Sequence, residues 1–483
     1  MVEPRVPAST VKFVDDYCKW YRHLFSEVRS FEAFKYLHVG MISDTKRKSL
    51  PAIAKVVGLS NEQGLLHFLT ESPWKALNLR KARLELILSV LQGQEISLII
   101  DETGDRKKGN STDYVKRQYI GNLGKIENGI VAVTAYGVMA EITFPLMFEV
   151  YKPKAQLKQG DVYRSKPEIA AQMIRELEAL GFRFKLVLAD SLYGESGSNF
   201  LNVLYELKLN FAVAIRSNHA VWLPKEQKVR ANRWREFERV FSDGKTQKRY
   251  IREVIFGKRR PTQFWQITTD KETLPKNSTW DVMTHIPELK YHQVSNLYGL
   301  RNWVEYGLKQ SKNELGWADF RVTDYAQIQK WWEIVMSAYL MVSLHSQTLM
   351  PTSRSPDNTS ATSTSVASKF STHAWWNQGK GWKNLLNNLR LVIQPFICFN
   401  LIQPWLKVFP FPSLSLYQCE MKRSRIGGRT ARELPPMARR LKLEITETGE
   451  YLEKSLKRAR SGPQKECLQM LWWLKTGQVS EPC

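Results

Sequence analysis

Two aspartates each follow directly on an apolar run of the sequence. Asp101 comes after Ile96-Ser-Leu-Ile-Ile100, and Asp190 comes after Phe184-Lys-Leu-Val-Leu-Ala189. Runs of this length and composition are typical of buried strands, so both carboxylates should emerge at an edge of a sheet, where ligands collect. Aspartate is also an ordinary turn residue after a strand, and for two such positions alone the turn is the favoured interpretation.

A further set of polar residues lies on a segment with helical periodicity. Tyr298, Arg301, Glu305 and Lys312 follow one another at spacings of three, four and seven residues. At 3.6 residues per turn a single helix projects all four from one face, on a stripe that should be apolar. The plain alternative is a solvated ion pair between Arg301 and Glu305, worth about 0.2–0.5 kcal/mol. On the helix alone the two interpretations are evenly balanced.

Together these residues resemble the catalytic signature of a known family. Asp101, Asp190 and Glu305 are similar to the DDE triad of bacterial insertion-sequence transposases. The four helical residues, with two, three and six residues between them, match the Tyr-Arg-Glu-Lys signature of one branch. The contexts DETGDRKKG and LADSLYGES are similar to that branch too, and the likeness covers roughly residues 95 to 350. Ser191 departs from it, since many relatives carry Arg there, which bears on a local phosphate or loop contact.

The resemblance implies a two-metal active site. Phosphodiester hydrolysis and strand transfer use two cations about 3.5–4 Å apart, one activating the nucleophile and one stabilising the leaving oxygen. Three carboxylates without His or Cys suit Mg²⁺, which prefers oxygen ligands, and Mn²⁺ could substitute. By the resemblance, Asp101 bridges both ions of a two-Mg²⁺ site, and Asp190 and Glu305 each complete one position.

The resemblance also implies phosphate contacts from the same helical segment. Arg301 can clamp a phosphate with two parallel hydrogen bonds, Lys312 adds a point charge, and Tyr298 would contact the terminal phosphate beside the cut. Weaker DNA-contact candidates follow the first aspartate, where a solvated loop is equally plausible: Lys107, Lys108 and Arg117. In the family a Trp of the β-rich insertion can stack on a flipped base, although a core role is favoured for each candidate here: Trp234, Trp265 and Trp280. A basic cluster near the C-terminus could bind the DNA backbone, or simply be solvated: Lys422, Arg423, Arg425 and Arg429.

The elements that must position these residues have a recognisable order. From residue 96 the patterns predict β-β-β-α-β-α-β, with an aspartate after the first and fourth strands, which is the order of a ribonuclease H-like domain. The predicted fold class is α/β, a ribonuclease H-like mixed sheet with a β-rich insertion, flanked by helical N- and C-terminal regions. Residues 53–69 resemble a helix-turn-helix, but an ordinary helical bundle is about as plausible.

The predicted organisation has six parts. They are a helical N-terminal DNA-binding region at 1–92, the first part of the catalytic domain at 93–216, a β-rich insertion at 217–286, the second catalytic part with the Glu305 helix at 287–350, a linker at 351–372 and a basic helical region at 373–483. The linker holds 12 Ser or Thr in its positions 352–372, too few apolar side chains for a core.

Composition and charge favour a nucleic-acid partner. The 483 residues carry 71 Lys or Arg against 47 Asp or Glu, a formal charge of +24. So much positive charge usually serves a polyanion, with an anionic membrane surface as second choice. Five cysteines without a CxxC pair indicate no disulfide framework, and no apolar stretch approaches a membrane span. No signal peptide is predicted, so the chain is expected to be soluble, with no membrane partner.

The sequence therefore predicts a DDE transposase that cuts the ends of its own element and joins them to target DNA. The expected partner is double-stranded DNA, both terminal inverted repeats and target, with a homodimer bound to it in the prokaryotic cytoplasm at the nucleoid. One alternative is a ribonuclease H-like nuclease without strand transfer. Another is a non-catalytic DNA-binding relic, which the clustered, mutually repelling carboxylates argue against.

Overall fold

A computed structural model describes residues 5–139, 142–219, 221, 223–240, 246–345, 374–377, 381–408 and 448–458, with 472 and 475–476. The chain falls into two compact units, 1–409 and 410–483. The first unit holds one large mixed sheet and the helices packed on it. In the second unit the structure describes the helix α13, Gly449–Arg458.

Among the described residues the elements are as follows. The strands are β1 Ile96–Arg106, β2 Lys116–Ile120, β3 Lys125–Met139, β4 Ile142–Val150, β5 Phe184–Ala189, β6 Phe211–Ile215, β7 Val229–Ala231, β8 Arg235–Val240, β9 Thr246–Phe256, β10 Thr262–Thr268 and β11 Trp280–His285. The helices of the first unit are α1 Lys12–Lys19, α2 Val28–Ile42, α3 Leu50–Val56, α4 Gln63–Thr70, α5 Ala76–Leu91, α6 Lys166–Ala179, α7 Ser191–Gly194, α8 Asn202–Glu206, α9 Tyr291–Gly299, α10 Asn302–Asn313, α11 Tyr325–Leu344 and α12 Trp382–Val408.

The centre of the sheet has ribonuclease H-like topology. β4 pairs with β3, and the order continues β3-β1-β5-β6. β1, β5 and β6 are mutually parallel, whereas β3 is antiparallel to both β1 and β4. The helix α6 connects β4 to β5, and α7 and α8 connect β5 to β6, as crossovers between parallel strands require. The predicted fold class is confirmed.

Two strands differ from the sequence-based prediction. β1 does not end at residue 100; it continues to Arg106, paired with β3 up to the Arg106–Gly129 pair. Asp101 therefore lies within β1 and not after it. Only the pairing of β1 with β5 ends close to this residue, at Ile99. The short strand β2, Lys116–Ile120, was not predicted, since four of its five residues are polar or aromatic and only Ile120 is buried.

The strands between residues 229 and 285 extend the same sheet. β11 pairs antiparallel with β6, and β10, β9 and β7 follow outward, with β8 also paired to β9. Side chains alternate between the two faces of these strands. One face buries Phe237, Ile251 and Val282 in a cluster that also includes Val294 of α9. The helix α9 therefore covers this face.

The N-terminal helices and α11 pack against the other part of the sheet. Glu333 of α11 is fully buried and forms ion pairs with two arginines of α5. Arg80 Nε lies 2.6 Å from Glu333 Oε1, and Arg83 Nη2 lies 2.9 Å from Glu333 Oε2. The same two arginines donate to main-chain carbonyls of β4, Arg80 to Phe148 and Arg83 to Leu146. This network ties α5, α11 and β4 together.

The helix α12 is the one described helix whose length and composition would suffice to cross a membrane, over Trp382–Trp405. Its first turns pack in the core through Leu386, Leu389 and Ile393. Pro395 and Pro404 lie within it. One such helix is weak evidence for a membrane segment, because a core helix can have the same length and composition. The predicted linker at 351–372 lies outside the described residues.

Candidate active site

Asp101 and Asp190 are brought side by side by the register of two parallel strands. Ile99 of β1 pairs with Leu188 of β5. Two residues further along the chain come Asp101, within β1, and Asp190, directly after the carboxyl end of β5, the end at which ligands bind in parallel sheets. Asp101 Oδ1 accepts from the Glu102 amide at 2.8 Å, and Asp190 Oδ1 accepts from the Leu192 amide at 2.9 Å.

The segment with the polar stripe forms two helices and not the single predicted one. α9 ends at Gly299 and α10 begins at Asn302. Leu300 and Arg301 keep right-handed helical dihedrals, with the Arg301 amide bonded to the carbonyl of Tyr298 at 3.1 Å, a tighter turn. Glycine is a poor helix former, which accounts for a break beginning at Gly299. Because the turn is tight, Tyr298 and Arg301 both still face β1.

Arg301 contacts Asp101, and Tyr298 lies near both aspartates. Arg301 Nη2 lies 3.2 Å from Asp101 Oδ2, with both side chains largely buried. Burial raises the pKa of Tyr298; the Arg301 guanidinium opposes this rise, while the Asp190 and Asp101 carboxylates add to it. The phenol, the guanidinium and both carboxylates therefore share one environment.

Lys312 lies on the same face of α10, nearer the end of β1. Its Nζ is 3.0 Å from Asp105 Oδ1 and 2.7 Å from the carbonyl of Gly104. Glu305 is in α10, one turn beyond Arg301 and two before Lys312; its side chain lies outside the described residues. Arg301 and Lys312 thus contact β1 from either side of the position of Glu305 along the helix.

Comparisons with known proteins show which sequences this chain resembles. A family model described as a DDE superfamily endonuclease matches residues 23–263, a span that includes Asp101 and Asp190. A curated protein of Microchaete diplosiphon, the probable transposase for insertion sequence element IS701, is 65% identical over 329 residues, which are 68% of this chain and 87% of the relative. The chain belongs to the DDE transposases of bacterial insertion sequences. The predicted family and class of enzyme are confirmed.

DDE transposases act on DNA and depend on divalent metal ions, and this transposase has suitable ligands. Asp101, within β1, and Asp190, directly after β5, present carboxylate oxygens, the ligand type that hard cations prefer. Among the residues whose side chains are described, no group of three or more His, Cys, Asp and Glu could hold a metal. The third carboxylate of the predicted triad, Glu305, is not among those side chains.

Two carboxylates and a lysine near the site were missed by the sequence analysis. Asp105 is buried and pairs with Lys312, while Glu102, on the other face of β1, pairs with Lys166 of α6. The strand period of two would have placed Asp105 on the face of Asp101. The prediction that β1 ended at residue 100 hid that signal.

The other predicted DNA-contact residues have different environments. Lys107 Nζ lies 3.3 Å from the ring centre of Phe320, and burial lowers the pKa of this lysine to about 8. Lys108 and Arg117 are exposed. The basic cluster predicted near the C-terminus lies outside the described residues: Lys422, Arg423, Arg425 and Arg429.

The three tryptophans named as stacking candidates also differ. Trp265 is buried, and its indole nitrogen donates to Thr284 Oγ1 at 2.9 Å, so it occupies an ordinary core position. Trp234 and Trp280 are half-buried, and each lies beneath an arginine of β9.

Proposed function

We propose that this transposase cuts DNA at the terminal inverted repeats of its own element and joins the freed ends to target DNA, in a cut-and-paste reaction. The observation that carries the proposal is the alignment of Asp101 with Asp190, with Arg301 against Asp101 and Tyr298 near both carboxylates. Carboxylates alone would suit many metal sites. Carboxylates flanked by cationic and phenolic donors suit the phosphates of DNA.

Asp101, Asp190 and Glu305 are the proposed metal ligands and catalytic carboxylates. Two Mg²⁺ ions, replaceable by Mn²⁺, would activate the attacking oxygen and stabilise the leaving one. Asp101 would suit a bridging role because β1, which carries it, pairs with β5, the strand that leads into Asp190, and contacts α10, the helix that carries Glu305. The amide donors to Asp101 and Asp190 fix one oxygen of each carboxylate and so hold the ligands in place.

Tyr298, Arg301 and Lys312 are the proposed phosphate-contacting residues. Arg301 holds its guanidinium at the Asp101 carboxylate, where it can orient the phosphate that is cut. Tyr298 supplies a neutral hydroxyl donor, since the pKa of this phenol is raised. Lys312 places a cation at the end of β1, beside Asp105. Lys108 and Arg117, both exposed, are candidates for contacts further along the duplex.

The β-rich extension is the proposed site for the end of the element. Of the three tryptophans, Trp234 and Trp280 are the candidates for stacking on a flipped base, since each is half-buried, whereas Trp265 is enclosed in the core. Two element ends must be brought together, so a homodimer on DNA is the proposed working form, at the nucleoid in the cytoplasm. The predicted domain boundaries and the basic cluster at 422–429 remain part of this proposal.

The experiment is cleavage of a labelled duplex that carries the element ends, in Mg²⁺, by the wild type and by Glu305→Gln. The variant keeps the shape of the side chain but removes its charge, so it should bind the ends and fail to cut them. Glu85→Gln, an exposed carboxylate on α5, is the control and should cut like the wild type. Joining of cut ends to a target plasmid reports strand transfer. Cutting without joining would replace the proposal with a nuclease, and binding without cutting with a relic.

A further inference from the structure

Two arginines gather on one tryptophan at the edge of the face covered by α9. The guanidinium carbon of Arg249, on β9, lies 4.5 Å from the ring centre of Trp280, on β11. The guanidinium of Arg239, on β8, lies 6.0 Å from the same ring centre. Strand alternation puts these three side chains on the same face as Ile251 and Val282.

Arg249 is buried without full hydrogen bonding. Its residue is 5% exposed, yet Nε and Nη1 have no hydrogen-bond partner. Nη2 donates to Gln247 Oε1 at 2.8 Å. Burial, and then the like charge of Arg239, lower the pKa of Arg249 to about 10. Arg249 is thus held beside a second cation with two of its own donors unsatisfied, which is costly unless an anion completes the arrangement.

A second arginine of the same strand shows what a satisfied version looks like. Arg252 points to the opposite face of β9 and lies 4.3 Å from the ring centre of Trp234. Its Nε and Nη2 both donate to Gln266 Oε1, at 2.9 and 2.6 Å. Gln266 in turn donates to the Asp281 carboxylate at 3.1 Å. The arginine–tryptophan pair by itself therefore does not leave donors unsatisfied on this strand.

The pair of cations adjoins the proposed active site through α9. A Cβ on Gly299 would lie 3.1 Å from Arg239 Nη2, and Gly299 follows Tyr298, which lies beside Asp190 and Asp101. β11 is three strands from β1 in the sheet, about 14 Å at ~4.8 Å per strand. That separation corresponds to about four base-pair steps of ~3.4 Å.

We infer that Arg249 and Arg239, braced on Trp280, bind a backbone phosphate of the DNA end a few nucleotides from the cut. The inference rests on the proposed function and deepens it, since it assigns a positioning role to residues outside the catalytic signature. The contact is made to a backbone phosphate and not to a base edge, so it orients the duplex without reading its sequence. Binding of the phosphate supplies the acceptors that Nε and Nη1 lack.

The test measures binding of an element-end duplex and of an unrelated duplex by the full chain at a series of salt concentrations. Arg249→Met should weaken binding to both duplexes, about tenfold, and make the slope of log affinity against log salt shallower by about 1. Arg249→Lys, which keeps the charge, should recover most of the slope. Arg252→Met is the matched control on the same strand and should leave the slope unchanged.

Thermal unfolding without DNA separates this role from a structural one. Arg249→Met removes unsatisfied buried donors, so its apparent Tm should equal or exceed that of the wild type. Arg252→Met loses two hydrogen bonds and should lower it. Equal salt slopes for the wild type and Arg249→Met would overturn the inference. So would equal losses of apparent Tm in Arg249→Met and Arg252→Met. The proposed function fails separately, if the wild type binds these ends and never cuts them.

Discussion

Arg301 of the turn between α9 and α10 donates from Nη2 to Oδ2 of Asp101 on β1, across 3.2 Å. A cation of the signature is thus paired with a proposed metal ligand. A divalent ion that binds Asp101 shares that carboxylate with the guanidinium, and the like charges repel. Arg301 is expected to oppose metal binding while it assists the reaction on DNA.

Arg301→Gln should therefore change metal affinity and cleavage in opposite directions. Removal of a cation that shares the Asp101 carboxylate with the ion is worth about 1–2 kcal/mol when screened, so Mn²⁺ should bind roughly tenfold tighter without DNA. Loss of charged hydrogen bonds to the phosphate should slow cleavage about 10- to 100-fold. Mn²⁺ titration followed by electron paramagnetic resonance gives the first quantity and end cleavage the second. Weaker Mn²⁺ binding by the variant would contradict the argument, and Asp101→Asn is the control that should weaken it.

The ion pair between Lys312 and Asp105 makes it possible to test two roles of Lys312 separately. One is neutralisation of the Asp105 carboxylate, and the other is contact with a DNA phosphate. Lys312→Gln leaves the buried Asp105 carboxylate without its cation and should cost about 1–3 kcal/mol of stability. Adding Asp105→Asn should restore most of that loss in a double-mutant cycle of urea unfolding. Cleavage should remain low in the double variant, because the DNA phosphate still lacks its contact with Lys312. Recovery of wild-type cutting would show that Lys312 acts only through Asp105.

The buried network around Glu333 should be the most sensitive structural site away from the active centre. Glu333→Gln leaves Arg80 and Arg83 buried beside a neutral amide, which should cost about 3–5 kcal/mol. The apparent Tm of the chain reports the loss. Glu85→Gln, which breaks an exposed pair with Lys81, should change stability by at most about 1 kcal/mol. Similar effects of the two substitutions would mean that the network is hydrated.

Stability should also depend on pH through His38. The ring is buried, with Nδ1 bonded to the Phe34 carbonyl and Nε2 to Ser337 Oγ, and burial lowers the pKa of His38 from 6.5 to about 4. The unfolded chain takes up a proton below 6.5 and the folded chain does not, so stability is complete above pH 6.5 and falls towards pH 4. The loss should reach about 3 kcal/mol.

Comparison of His38→Gln with the exposed His67→Gln checks the assignment. The fall in apparent Tm between pH 7 and pH 5 should be shallower in His38→Gln than in the wild type, and unchanged in His67→Gln. Parallel curves for all three proteins would show that other groups set the acid sensitivity.

Local patterns predicted the centre of this fold well. The apolar runs before Asp101 and Asp190 belong to β1 and β5. The family resemblance pointed to Arg301 and Tyr298, which lie near these aspartates. The contacts of β2 and of Asp105 were not predicted, because they depend on register with strands far away in sequence. The tight turn at Leu300 and Arg301 could not be distinguished from a continuous helix, since its residues keep helical dihedrals.

The position of β11 has a consequence for how the chain assembles. β11 is the last strand of the sheet in sequence, yet it lies between β6 and β10 in space. Until residue 285 has been synthesised, β6 and β10 each carry an open edge of unpaired amides and carbonyls. Such edges invite pairing with other chains. Ribosomal products that stop short of β11 should therefore aggregate, whereas a chain that reaches it joins the two parts of the sheet in one late step.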